Sequence, residues 1–230
     1  MDQIILEAIK SSPLFRNIDE ESLNIMLDCL DPRMKKYRQR EIIVAYGQPF
    51  TGMGILAGGR IALTREQYSG NRIIMGFLGE GNIFGEMLAF SDRKTWPVTV
   101  ISQEESTVLY LPPDRITNTC SNVCASHTTL IMNMLSILSN RALMLNRKIE
   151  HISVKSIRGK ISSYLLDMLR DSKSNIIVIP MKRHELADYL NIPRPSLSRE
   201  LGFMRNEGII SFEGSTITVK NAGKLEESML

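Results

Sequence analysis

The spacing of apolar residues changes character several times along the chain, and each change predicts a different kind of element. In the first 30 residues, Leu6, Ile9 and Leu14-Phe15, then Leu23, Met26, Leu27 and Leu30, recur at helical spacing, with Asp19-Glu20-Glu21 at the start of the second run. Short helices are expected there. From 38 to 111 the runs shorten to about five residues, at 42–45, 52–56, 60–64, 72–78, 98–102 and 107–111, and glycine turns separate them. That alternation predicts a small antiparallel β barrel, roll or sandwich. Pro112-Pro113-Asp114 ends it.

A long helix is expected over roughly 125–152. Ile131, Leu135, Leu138, Ala142, Leu145, Ile149 and Ile152 follow one another at alternating steps of four and three. Such a stripe can pack on its own domain. Unbroken over three heptads, it fits better against a second copy of itself across a two-fold axis. The expected dimer interface is therefore Ile131, Leu135, Leu138, Ala142, Leu145 and Ile149.

Beyond it the order reads helix (156–171), strand (176–180), two short helices (182–190 and 194–207) and a hairpin (209–212, 216–219) turning at Glu213-Gly214-Ser215. That is the order of a winged helix-turn-helix. Within it, Leu186, Ala187 and Leu190 give the first short helix an apolar face, and Asn191-Ile192 makes the turn with Ile192 in the core. Pro195 suits the first turn of the second helix, where a missing N–H costs nothing. Leu197 and Leu201 face inward, which leaves Arg194, Ser196, Ser198 and Arg199 on the outer face near the N-terminal end. A reading helix presents that end to base edges. Arginine can grip guanine O6 and N7 with two hydrogen bonds, while serines and backbone amides hold phosphates. The expected DNA-binding residues are Arg194, Ser196, Ser198 and Arg199.

Charge supports that placement. The net charge of +3 means little in bulk, but residues 1–154 carry 16 basic and 16 acidic side chains, and 155–230 carry 12 and 9. Residues 155–206 alone have ten and five, so the excess lies on the helices that should approach phosphate. Composition excludes disordered, collagen-like and disulfide-stapled chains. No run of 18 apolar residues or secretory signal is present, so a cytoplasmic protein away from membranes is expected, with reduced Cys29, Cys120 and Cys124. No nucleophile–base motif stands out, and Gly79-Glu80-Gly81-Asn82 lacks the lysine of a P-loop, so no catalytic residue and no enzyme are expected.

Together these features resemble the Crp/Fnr superfamily of bacterial transcription regulators, over about residues 10–225. The resemblance rests on 58–61 (Gly-Gly-Arg-Ile), 78–87 (Leu-Gly-Glu-Gly-Asn-Ile-Phe-Gly-Glu-Met), the long helix, and 186–201 with its wing. It implies an α+β chain in three parts. These are an N-terminal antiparallel β roll of the cyclic-nucleotide-binding type (1–124), a dimerisation helix (125–152) and a C-terminal winged helix-turn-helix (153–230). It also implies a homodimer on palindromic double-stranded promoter DNA, with RNA polymerase as a further partner. Arg194 and Arg199 match the two arginines of the family's Arg-Glu-x-x-x-Arg reading pattern. Pro195 stands where the glutamate would be, so the half-site should differ near that base pair.

The resemblance places a small effector at Gly85, Glu86, Met87, Lys94 and Thr95. Gly85-Glu86-Met87 matches the segment whose amides and glutamate hold phosphate and ribose in cyclic-nucleotide binders. Lys94-Thr95-Trp96-Pro97 replaces their Arg-Ser/Thr-Ala segment, which loses the bidentate fork and adds bulk. The departure counts against cyclic AMP and leaves the effector unknown. An iron–sulfur cluster held by four thiolates of one chain is impossible with three cysteines. No metal site is expected, and His127, His151 and His184 lie outside the roll, which counts against haem. Two other readings remain: a ligand-binding subunit acting on a protein partner, and a regulator switched through thiols at Cys120 and Cys124.

Overall fold

The computed structural model describes residues 3–66, 72–117, 125–172 and 174–229. The chain forms two compact units, Met1–Asn140 and Arg141–Leu230.

The N-terminal unit opens with α1 (Gln3–Ser11), a 3-10 turn (Pro13–Phe15) and α2 (Glu20–Leu30). Asp19 caps α2 by accepting the Ser22 amide at 2.9 Å, and Glu20 and Glu21 complement its dipole. The roll follows as β1 (Arg33–Tyr37), β2 (Ile42–Val44), β3 (Met53–Gly58), β4 (Ile61–Glu66), β5 (Arg72–Leu78) and β6 (Ile83–Phe84). After α3 (Glu86–Ala89) come β7 (Thr99–Ser102), β8 (Ser106–Leu111), α4 (Pro113–Thr117) and α5 (Ala125–Ser153).

Two antiparallel four-stranded sheets result, ordered β1-β8-β3-β6 and β2-β7-β4-β5. β3 is buried almost throughout because it is covered on both faces. Met53 and Ile55 lie in a cluster with α1, α2 and Leu130 and Met134 of α5, while Leu56 lies in another with Ile61, Phe84, Trp96 and Val100. Asn133 pins α5 to this unit, its side-chain amide donating to the carbonyls of Leu14 and Arg16 at 2.9 and 2.8 Å. At the β3–β4 reversal Gly59 has φ +86°, and a Cβ there would lie 2.4 Å from the Glu105 carbonyl oxygen, so only glycine fits.

The C-terminal unit contains α6 (Ile157–Asp171), β9 (Ile176–Val178), α7 (Arg183–Tyr189), α8 (Arg194–Asn206), β10 (Ile210–Glu213), β11 (Thr216–Val219) and α9 (Ala222–Glu227). Its antiparallel sheet runs β10-β11-β9. A single cluster joins Ile161 and Leu165 of α6, Leu186 and Leu190 of α7, Leu197 and Leu201 of α8, and Ile210 and Ile217 of the wing.

The α+β architecture follows the sequence reading, with additions that include β1, α4 and α9. β1 escapes the apolar pattern because only Tyr37 of its five residues is buried, and its pairing with β8 defines it. α4 begins within the Pro112-Pro113-Asp114 signal, where Pro113 starts the helix. α9 follows the wing, where the sequence reading places no element. Asn221 caps it by accepting the Lys224 amide at 3.1 Å, and a single fully buried Leu225 anchors it. No helix among the described residues is long and apolar enough to cross a membrane.

Candidate nucleic-acid interface and sensor roll

α7 and α8 are set by their caps and the turn between them. The Glu185 carboxylate accepts the Lys182 amide at 2.6 Å at the start of α7. Asn191 makes the turn at φ +52°, a conformation asparagine tolerates better than most residues, and Ile192 folds back into the core. Pro193 caps α8 and Pro195 occupies its first turn. Leu197 and Leu201 are buried, while Arg194, Ser198 and Arg199 are exposed and Ser196 is half-buried. The two guanidiniums, two hydroxyls and free amides of the first turn therefore meet solvent together at one end of α8, an arrangement able to bind phosphates and base edges.

α5 contributes residues to both units. Leu130 and Met134 are buried in the N-terminal unit, and Arg147, Lys148 and His151 turn towards α6 and α7. Leu135, Leu145 and Ile149 are about half exposed, at 52%, 48% and 56%. Ala142 is exposed, while Ile131 and Leu138 are half-buried, with Leu138 against the N-terminal cluster.

In the roll, Gly85 lies against Trp96 and Glu86 is buried, while the other expected effector residues are exposed. Gly85 caps α3 at φ +80°, and a Cβ there would meet the Trp96 indole at 2.6 Å. Glu86 and Trp96 are both 2% exposed, and the indole packs against Phe50 and Phe84 with ring centroids 5.4 and 6.0 Å apart. Met87, Lys94 and Thr95 are exposed, and the Lys94 ammonium donates to the Ser91 carbonyl at 3.3 Å. Cys120 and Cys124 lie outside the described residues. His127 is buried, with Nε2 3.3 Å from the Arg115 carbonyl. Among the described residues no three His, Cys, Asp or Glu gather as metal ligands.

The sequence reading missed a buried polar knot in the C-terminal unit. His151 is 3% exposed, with Nδ1 3.1 Å from the Tyr189 hydroxyl and Nε2 3.4 Å from Asp167. Tyr164 packs edge-on and Tyr189 at a tilt against the imidazole, and Arg147 ties Asp171 at 2.8 Å. The available signal was Arg147 and His151, four apart on the side of α5 away from the stripe. Burial holds the imidazole below its usual range, and Asp167 offsets only part of that. The unfolded chain therefore takes up the proton first. The stability His151 contributes is complete above about pH 6.5 and is lost as pH falls through the lowered folded value. Urea unfolding of the C-terminal unit over a pH series is expected to show that loss in the parent and a flatter profile in His151→Gln.

Comparison with known proteins agrees with this geometry. Residues 34–122 match the cyclic nucleotide-binding domain family and residues 159–228 the Crp-like helix-turn-helix domain family. The cyclic AMP receptor protein of Thermus thermophilus is 24% identical over 219 residues, which span 95% of this chain and 97% of the relative. The global nitrogen regulator of Synechocystis is 23% identical, over 99% of both chains. The structure of a CooA variant from Carboxydothermus hydrogenoformans superposes with a TM-score of 0.63 at 18% identity, covering 100% of this chain and 97% of that one. With a cyclic-nucleotide-binding-type roll ahead of a Crp-like winged helix, the chain belongs to the Crp/Fnr family of DNA-binding transcription regulators.

Proposed function

We propose that the chain works as a homodimer on palindromic duplex sites, with α8 of each protomer in one half-site and a small effector at the roll controlling the fit. The observation that carries this reading is α8 itself. Its buried Leu197–Leu201 face is seated in the core, and Arg194, Ser198 and Arg199 stand exposed at its N-terminal end. Arg194 and Arg199 read guanines, and Ser196 and Ser198 hold phosphates. The half-exposed stripe on α5 supplies the two-fold contact that would space two such helices about one DNA turn apart, roughly 34–36 Å. An effector that favours one packing of the paired helices shifts the population competent to bind.

The effector is proposed to be other than cyclic AMP. The indole of Trp96 fills the space against Gly85, and Lys94, which stands in place of the arginine, is exposed and turned to Ser91. An anionic or apolar ligand that tolerates the aromatic wall of Phe50, Phe84 and Trp96 fits these residues better than a nucleotide needing an arginine fork. RNA polymerase is the further partner proposed for a promoter-bound regulator in the cytoplasm.

Selection from a library of fully randomised duplexes tests the reading. Sites recovered by the parent should be two-fold symmetric. Arg199→Ala should bind them about 5- to 150-fold more weakly, with discrimination relaxed at one base pair per half-site. Weakening that is equal across all sequences would assign Arg199 to phosphate, and recovery of no sequence would favour a protein partner instead.

A further inference from the structure

Three charges of the C-terminal unit stand where simple helix electrostatics disfavours them. Arg158 lies in the first turn of α6, at the positive end of its dipole, and that turn has no acidic residue. Glu207 is the C-cap of α8, at the negative end of its dipole. Glu200 sits beside Arg199 on the helix that is to approach phosphate. One guanidinium accounts for all three. Nε of Arg158 donates to Glu200 at 2.6 Å, and its two terminal nitrogens donate to the two oxygens of Glu207 at 2.7 Å each. The Arg158 and Glu200 side chains are 31% and 20% exposed and Glu207 44%. This clamp is therefore partly desolvated and forked, unlike a loose surface pair. The Arg158 bond also holds the Glu207 carboxyl below its usual range.

The fork has geometric consequences for α8. It holds the helix at two points, seven residues apart, against the start of α6. Successive residues on a helix differ by about 100°, so a turn of α8 by one position would bring Glu200 to where Arg199 stands. Glu200, just after a reading arginine, also lies within a Debye length, about 8 Å, of any phosphate that Arg199 approaches. Unpaired, Glu200 and Glu207 would repel the duplex.

On the reading of α8 as the DNA-binding helix, we infer that Arg158 is a positioning residue for sequence recognition. It fixes the rotation of α8 and offsets one of the two negative charges of Glu200 and Glu207 without itself touching DNA.

The test uses full-length chain and two duplexes, a palindrome selected by the parent and an unrelated sequence of equal length. Arg158→Gln should lose roughly tenfold more affinity for the selected duplex than for the unrelated one. Its dependence on salt should keep the parent's slope, because no phosphate contact is lost. The triple variant Arg158→Gln, Glu200→Gln, Glu207→Gln should regain affinity for both duplexes alike, because the unpaired carboxylates are gone, but not the discrimination, because α8 is still unclamped. Arg158→Lys, which keeps the charge without the fork, should fall between and guards against misfolding of the glutamine variant. Equal discrimination by parent and Arg158→Gln overturns the inference, as does a salt slope lower by about one, which marks a direct phosphate contact. A parent that does not discriminate between duplexes overturns the reading of α8 and this inference with it.

Discussion

Replacing Leu145 and Ile149 together by aspartate should give a folded monomer that has lost most of its affinity for a palindromic site. The two side chains are about half exposed, while Arg147, Lys148 and His151 of the same helix pack within the C-terminal unit. The substitutions therefore leave that unit's own contacts in place. In a symmetric pair of helices each residue meets its own copy or a near neighbour, so the double change sets four carboxylates along one apolar seam. Removing unpaired charges from water costs far more than the aliphatic contacts return, and the pair separates. A dimer binds its second half-site as an intramolecular step, and a monomer loses that advantage, so affinity should drop about 10²- to 10⁴-fold. Sedimentation should show the mass halving from the dimer value, and fluorescence anisotropy with the palindrome should show the weakening. A single isolated half-site should bind parent and variant much more alike. A variant that stays dimeric, or a monomer with parental affinity for the palindrome, contradicts this assignment of the stripe.

The stripe was legible in the sequence because a heptad pattern survives any detail of packing, and so was the reading unit. Leu186, Leu190, Ile192, Leu197 and Leu201 are buried where their spacing puts them, since a core built from short helices fixes which side each apolar residue takes. The roll was legible as alternating short runs but not strand by strand. β1 carries Arg33, Lys35 and Lys36 and is a strand only because β8 offers it a ladder, information that lies 70 residues away. What was not legible shares that character. The His151 knot joins α5, α6 and α7, and the Arg158 fork joins α6 to both halves of α8. Each residue taken alone looks like an ordinary solvated charge. Trp96 is an intermediate case. Its bulk at that position was readable and suggested a departure from nucleotide binding, but its burial against Gly85 depends on how 94–96 runs beside 48–50, where Trp96 donates its amide to the Gln48 carbonyl and Phe50 donates to that of Lys94.

Trp96 also makes the second large effect easy to observe. Leu201→Ala should unfold the reading unit at much lower temperature and leave the roll untouched. Leu201 is 1% exposed and belongs to the single cluster of the C-terminal unit, shared with Leu197, Met204, Leu186 and Ile210. It sits on the rear of α8, so truncation removes buried methyl groups and leaves a cavity behind the reading face. Such changes cost about 2–5 kcal/mol. For a unit the size of Arg141–Leu230, total stability is of order 5–15 kcal/mol, and each kcal/mol shifts the midpoint by roughly 4–8 °C. The expected drop is thus on the order of 10–40 °C, enough to abolish site-specific binding under conditions where the parent binds. The chain has one tryptophan, and it lies in the roll's cluster with Phe84, Leu56 and Val100, separate from the cluster that holds Leu201. Trp96 emission should therefore report roll unfolding at the parent's temperature, while helical circular dichroism shows an early transition in the variant. Conservative Leu201→Met, of similar volume, should bring the early transition back towards the parent. If the two signals move together in Leu201→Ala, the units unfold as one cooperative body, and the separation of their cores seen in the packing has no thermodynamic counterpart.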